Sequence, residues 1–203
     1  MTVLHLVRHG RTALNAQGRF RGHQDPELDD QGRVDATRAA DALASEAIAI
    51  VTASPLRRAQ QTAAAVAAGR DLTVGVEPGL ADIDYGRWEG RTYDEARADD
   101  DEMFGRLRNA PRSFVPPGGE PMTDVEERAL AALDRLRAGP SPAVAVSHDV
   151  PIRVLVTRIA GIPEEGFWAF PLVTGGIVDL RHDGEAWSLT AVPGGPGYRG
   201  DLP

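Results

Sequence analysis

The chain has 203 residues, a formal net charge of −8, 42% hydrophobic and 26% charged residues, and no cysteine. That length suits one domain with a sizeable core. Disulfides and thiolate metal sites are excluded, and an acidic chain lacks the phosphate-neutralising surface that general nucleic-acid binding needs.

All 22 basic residues are arginine. A P-loop lysine and a Schiff-base lysine are therefore ruled out, and any phosphate chemistry must use Arg or His. The first residues, Met1 to Val7, run straight into Arg8-His9, too short and too soon charged for a secretory signal. No run of 18 apolar residues points to a membrane span. A cytoplasmic protein is the expectation.

In chain order, Val3 to Val7 reads as a first strand, ended by Arg8-His9-Gly10. Residues 12–29 are polar and rich in Gly, Arg and Gln, the composition of a long loop. A helix is predicted over 30–44, with Asp29 or Asp30 as N-cap. Residues 48–52 form a buried strand, and Pro55 opens a helix that reaches about Ala68. Residues 72–76 read as a strand, 77–88 as irregular, 92–107 as one helix and 111–121 as a Pro/Gly loop. Thr123 and Glu126 form a capping-box pattern for a helix over 124–137. Residues 143–146 are a strand followed by Ser147-His148, and 150–159 a helix. Strands at 177–180 and 187–192 flank Asp183-Gly184, a hairpin signal.

This alternation predicts a single-domain α/β three-layer sandwich over residues 1–193, with a mostly parallel central sheet flanked by helices. Residues 194–203 read as a Gly/Pro-rich tail. Polar residues fall directly after strands at Arg8-His9, at Ser54 to Arg58 and at Ser147-His148. Ligands of open α/β sheets bind at the carboxyl ends of the strands, so three distant segments deliver His9, Arg58 and His148 to one edge.

A histidine with one unprotonated ring nitrogen can attack phosphorus, and Gly10 would let a ligand approach the backbone. Arg8, Arg58 and Arg11 can make forked, charge-assisted hydrogen bonds to phosphoryl oxygens, and His148 offers a further donor. Phosphoryl transfer needs mainly such positioning and charge stabilisation. The leaving alkoxide needs a proton, which Asp82 or Asp84 can supply as general acid. No metal and no cofactor is expected, since no closely spaced ligand pair stands out. Elsewhere the simpler readings win: His5 as a hydrogen-bonded structural histidine, His23 and His182 as loop histidines, Arg57 as a solvated helix residue, and Asp99 to Glu102 as a solvated acidic run. Ser54 lacks the flanking glycines of a nucleophile elbow.

These residues carry a resemblance. Val7-Arg8-His9-Gly10, Thr12 and Asn15 are similar to the signature of the histidine phosphatase superfamily, in its phosphoglycerate mutase-like branch. Phe20-Arg21-Gly22-His23 with Asp25, Leu28 and Gly32 resembles the family's substrate loop. Ser54-Pro55-Leu56 with Arg58-Ala59 and Thr62-Ala63 resembles its second phosphate-binding segment. Leu80, Asp82, Gly86 and Trp88-Glu89-Gly90 are similar to the acid-donor segment, and Gly118-Gly119-Glu120 and Val146-Ser147-His148 follow in the expected order. The resemblance implies that His9 is the phosphorylated nucleophile and that Arg8, Arg58 and His148 form the phosphate pocket. Asp82 falls at the donor position. Asn15, Arg11, Gly22, His23 and the backbone near Asp149 are implied as substrate contacts. Asp82 stands where many relatives carry Glu, Arg11 where they often carry Glu, and Pro121 where they often carry Ser.

The expected activity is hydrolysis of a small phosphomonoester. The alternatives are a 2,3-bisphosphoglycerate-dependent phosphoglycerate mutase and a non-catalytic phosphate-ligand binder. The short acidic segment after Trp88-Glu89-Gly90 favours the phosphatase, because mutases of the family carry a longer, more basic insertion there.

Overall fold

Four short apolar segments form the parallel part of the sheet in the computed structural model, which describes residues 1–190. They are β1 (Thr2–Arg8), β2 (Ile50–Ala53), β3 (Val74–Val76) and β4 (Ala143–Ser147). β5 (Ile177–His182) and β6 (Trp187–Leu189) add antiparallel, giving the order β3-β2-β4-β1-β5-β6. The tail expected over 194–203 and the end of the last predicted strand lie outside the described residues.

Side chains alternate across a pleated strand, and the two faces of this sheet receive different helices. On one face Leu4, Leu6, Ala145 and Leu180 pack with residues of α6 (Met122–Arg137) and α7 (Asp149–Ala160), among them Leu133, Ile152 and Leu155. On the other, Val7, Val51, Ala53 and Val146 pack with Ala39, Ala59, Ala63 and Val66 of α2 (Asp30–Ala42) and α3 (Arg57–Ala67). The small Ala side chains of α2 and α3 let both helices lie close to the sheet. The outcome is the three-layer α/β sandwich that the strand–helix alternation predicts. Truncating a fully buried strand residue such as Leu6 to Ala is expected to cost about 2–5 kcal/mol.

A third apolar cluster lies apart from these layers. Phe20, Ile83, Tyr85, Trp88, Phe114, Met122 and Phe167 bury together with Val150 and Val154 of α7. It anchors the loops that follow the strand ends.

Several elements differ from the sequence reading, each for a physical reason. The predicted loop 12–29 contains a short helix, α1 (Ala13–Ala16), because Thr12 and Asn15 cap it reciprocally. The helix predicted over 92–107 is two, α4 (Tyr93–Asp99) and α5 (Asp101–Asn109). Asp100 leaves helical geometry at φ −154° and its side chain accepts from the Met103 amide, capping α5. The solvated acidic run therefore contains a structural cap. α6 begins at Met122, with Pro121 as N-cap and no side-chain cap, so the Thr123–Glu126 box is not formed. Burial of Met122 and a hydrogen bond from its amide to the Phe114 carbonyl start the helix two residues sooner. α3 starts at Arg57 rather than at Pro55.

Candidate active site

The register of the parallel strands brings the polar strand ends together. Arg8 of β1 stands opposite Ser147 of β4, and Ala53 of β2 opposite Val146. The next amides continue the ladder, with His9 N–H donating to Ser147 O at 3.0 Å and Ser54 N–H to Val146 O at 2.9 Å. His9, Ser54 and His148 therefore leave three strands side by side. The rings of His9 and His148 lie 5.0 Å apart, centroid to centroid.

His9 is fully buried. Its Nδ1 lies 2.6 Å from the Gly10 carbonyl, which can only accept, so Nδ1 carries the proton. Nε2 is left with a lone pair, buried and without a hydrogen-bond partner. Burial, and then the charges of Arg58, Arg8 and Arg21, push the His9 pKa well below the ordinary imidazole value. The ring is thus neutral with Nε2 unprotonated, the state a nucleophile toward phosphorus requires.

Arg58, on the first turn of α3, has no exposed surface. Its Nε donates to His148 Nδ1 at 3.2 Å, Nη1 to Gln24 O at 2.7 Å, and Nη2 to Gly22 O at 2.8 Å and to Asp82 Oδ2 at 3.1 Å. His148 is the N-cap of α7, and its Nε2 lies 2.7 Å from Ser54 Oγ. Burial and the Arg58 charge also push its pKa well below the ordinary value. Asp82 is 2% exposed; its Oδ2 lies 3.9 Å from His148 Nδ1 and its Oδ1 accepts from the Ile83 amide. One guanidinium therefore joins the second imidazole and the acid-segment carboxylate.

Arg8 pairs with Asp149 at 3.2 Å and donates to the Leu172 carbonyl. Burial acts to raise the Asp149 pKa, but Arg8 and Arg153 outweigh it and hold the carboxyl below its usual range. Asp149 opens α7, a 12-residue helix whose N-terminal amides and dipole favour an anion. The Nε atoms of Arg8 and Arg21 are buried and make no hydrogen bond. Two orphaned cationic donors and one orphaned imidazole nitrogen in a buried site are what a tetrahedral anion would satisfy.

The other predicted residues are placed differently. Gly22 adopts φ +50° and presents its carbonyl to Arg58; a Cβ there would meet the Glu89 carboxylate at 2.0 Å. His23 is a loop residue whose Nε2 lies 3.0 Å from the Asp82 carbonyl. Asn15 uses its Oδ1 to accept from Thr12 N and Oγ1. Arg11 is turned to Asp29, 2.9 Å away, and its side chain is 42% exposed; it is not gathered with the imidazole cluster. Asp84 is likewise outside it, its Oδ1 accepting from the Gly86 amide at 2.7 Å. Gly10 does not hold space for a ligand as expected: a Cβ there would lie 2.2 Å from the Gly32 carbonyl, so the space belongs to the backbone of α2.

Among the residues set aside, His5 bonds Asp179 at 2.7 Å from within the sheet. His182 is a buried β5 residue against Trp187 rather than a loop histidine. Arg57 is exposed but paired with Glu27.

Three residues escaped the sequence reading. Arg21 is 8% exposed and lies in the field of Asp82; its signal was its place beside Gly22 and His23 in the substrate-loop pattern. Thr62 accepts from the Gly10 amide and donates to the Arg58 carbonyl, tying the first histidine segment to α3. Arg128 donates to the carbonyls of Gly79, Ala81 and Asp82 and pairs with Glu120, holding the acid segment's backbone. Thr62 lay within the second phosphate-binding pattern, but its bond to Gly10 is remote in sequence; nothing local marks Arg128, whose carbonyl partners lie 46 to 49 residues away.

Among the described residues no group of three His, Asp or Glu is arranged to hold a metal ion, and no helix is long and apolar enough to cross a membrane.

The family described as histidine phosphatase superfamily (branch 1) matches residues 4–193. Phosphoserine phosphatase 1 of Hydrogenobacter thermophilus is 33% identical over 172 residues, covering 84% of this chain and 82% of that protein. A bifunctional protein of Mycobacterium tuberculosis is 40% identical over 159 residues, which span 76% of this chain but 43% of that one. The solved structure of Bacillus stearothermophilus YhfR superposes with a TM-score of 0.88 at 31% identity, covering 94% of this chain and 96% of that one.

Proposed function

The chain belongs to the histidine phosphatase superfamily, and from that premise we propose that it hydrolyses a small phosphomonoester through a phosphohistidine on His9. The observation that carries this reading is the state of His9. Its ring is neutral, Nδ1–H is held by the Gly10 carbonyl, and Nε2 is free among three guanidinium groups.

In the first step the Nε2 lone pair attacks phosphorus and the ester P–O bond breaks in line. Arg8, Arg21, Arg58 and the N-terminal amides of α7 balance the charge on the equatorial oxygens. Asp82 gives its proton to the departing alkoxide. In the second step water attacks the phosphohistidine. Asp82, now a carboxylate, takes the water's proton, and phosphate leaves with His9 Nε2 free again.

Phosphoserine phosphatase activity in the Hydrogenobacter relative supports small phosphorylated metabolites as the substrate class. The reading is tested by rapid quenching in alkali during turnover of a phosphomonoester. An acid-labile phosphoryl group should be recovered on the peptide that contains His9 and be absent from His9→Ala. Phosphate release at wild-type rate by His9→Ala would overturn the assignment. Rapid conversion of 3-phosphoglycerate to 2-phosphoglycerate, primed by 2,3-bisphosphoglycerate, would make the chain a mutase instead.

A further inference from the structure

Beside the phosphate site the protein has a pocket of about 570 Å³, which shares Arg21 and Asp149 with it. Its walls are aromatic: Phe20, Tyr85, Tyr93, Phe104 and Trp168, with Leu107. The rings are set before any ligand arrives. Phe20 lies 4.6 Å from Tyr85 and 4.9 Å from Tyr93, the second pair edge-on at 82°. Trp168 Nε1 donates to the Leu107 carbonyl at 2.9 Å, and the Arg153 guanidinium lies 5.3 Å from the Trp168 ring centre. Tyr93 is 47% exposed, an apolar face left in water at the mouth.

The polar part of the lining lies on exposed helix positions and at the phosphate site. Asp94, Arg97, Arg108 and Asn109 line the pocket from exposed positions on α4 and α5, and Arg97 is already paired with Asp101 at 2.9 Å. Arg21 and Asp149 belong to the phosphate end. A serine- or glycerate-sized leaving group would leave the rings wet. A pocket of this size holds a far larger group, and stacked or edge-on ring contacts reward a flat one.

Resting on the phosphatase reading above, we propose that this pocket makes the enzyme selective for phosphomonoesters whose alcohol carries a planar aromatic ring a few bonds from the ester oxygen. Tyr93 and Trp168 are its specificity-determining residues.

The test compares kcat/KM for 2-phenylethyl phosphate and propyl phosphate, which release similar primary alkoxides, so that the ring is the main difference. Phosphoserine and 3-phosphoglycerate are run beside them. The aromatic ester should lead by about 10- to 100-fold, the range expected from burying one phenyl ring. Tyr93→Ala and Trp168→Ala should each bring the ratio toward one. The ratio does not depend on how much of a variant is folded, and Tyr93 is exposed enough for its variant to be read even if Trp168→Ala fails to fold. A parent enzyme that handles propyl phosphate, phosphoserine or 3-phosphoglycerate as well as the phenylethyl ester would overturn the proposal, as would an unchanged ratio in Tyr93→Ala. No hydrolysis of any of the four esters would instead strike the phosphatase reading itself.

Discussion

Arg58 Nε stands 3.2 Å from His148 Nδ1, and because a guanidinium can only donate, this contact decides the tautomer of His148. The ring must accept at Nδ1 and carry its proton on Nε2, which then donates to Ser54 Oγ at 2.7 Å. The same guanidinium reaches Asp82 Oδ2 at 3.1 Å. Arg58 is thus the joint through which the second imidazole and the acid segment are placed around His9.

Arg58→Ala should therefore damage both folding and chemistry. It leaves the Asp82 carboxylate buried without its ion pair, a loss of about 3–5 kcal/mol for buried pairs. Urea unfolding reads this directly. Arg58→Lys keeps the charge but loses the fork, and kcat/KM should still drop by about 10²–10³. A lysine variant with unimpaired turnover would show that the fork geometry is immaterial.

Ser54→Ala separates a positioning role from a nucleophilic one. The variant leaves the buried His148 Nε2–H without its acceptor, which costs about 1–3 kcal/mol. Turnover should fall by roughly tenfold, in keeping with a loss of that size at most partly felt in the transition state, and the phosphoryl group should still be trapped on His9. Complete loss of activity with a folded Ser54→Ala protein would contradict this.

Asp82→Asn should lose more rate on alkyl phosphates than on aryl phosphates, because only a strongly basic leaving group needs the proton. The loss on alkyl esters is expected to be about 10²–10⁴. Asp84→Asn should affect both classes little, since Asp84 accepts from the Gly86 amide and lies away from the imidazoles. Equal losses for both esters in Asp82→Asn would move the acid role elsewhere.

Stability should fall as pH drops below about 6.5, the ordinary imidazole value. His9 and His148 have folded-state pKa values well below it. The unfolded chain therefore binds their protons first, and the stability that their neutral burial preserves is present above pH 6.5 and lost on acidification. Each contributes a slope of about 1.4 kcal/mol per pH unit until its folded pKa is reached. Unfolding midpoints between pH 6.5 and 5 should show a shallower fall in His9→Asn than in the parent. Parallel curves would mean that His9 is protonated in the native state.

Local patterns in the sequence settled much of the architecture. Apolar runs such as Val3 to Val7 and Ala143 to Val146 need a sheet interior whatever surrounds them, and the residue after each is polar. That placed His9, Arg58 and His148 at one sheet edge before any coordinates. Local rules failed where a distant partner outbid them. The capping box at Thr123 lost to the burial of Met122 beneath Phe114, and the single helix over 92–107 broke because the Asp100 side chain caps the next turn.

What the sequence determined by itself, then, is the order of strands and helices and the chemical types gathered at the strand ends, since periodicity and side-chain chemistry are carried by neighbours along the chain. Only the tertiary structure decided which guanidinium faces which group. Arg11 goes to Asp29 while Arg21 is left with an orphaned donor, His148 is locked in one tautomer, and five aromatic residues from three separate segments line one pocket. A long side chain takes its partner from whatever packing brings within about 3 Å, the reach of a hydrogen bond, and that distance is set by contacts far apart in the sequence.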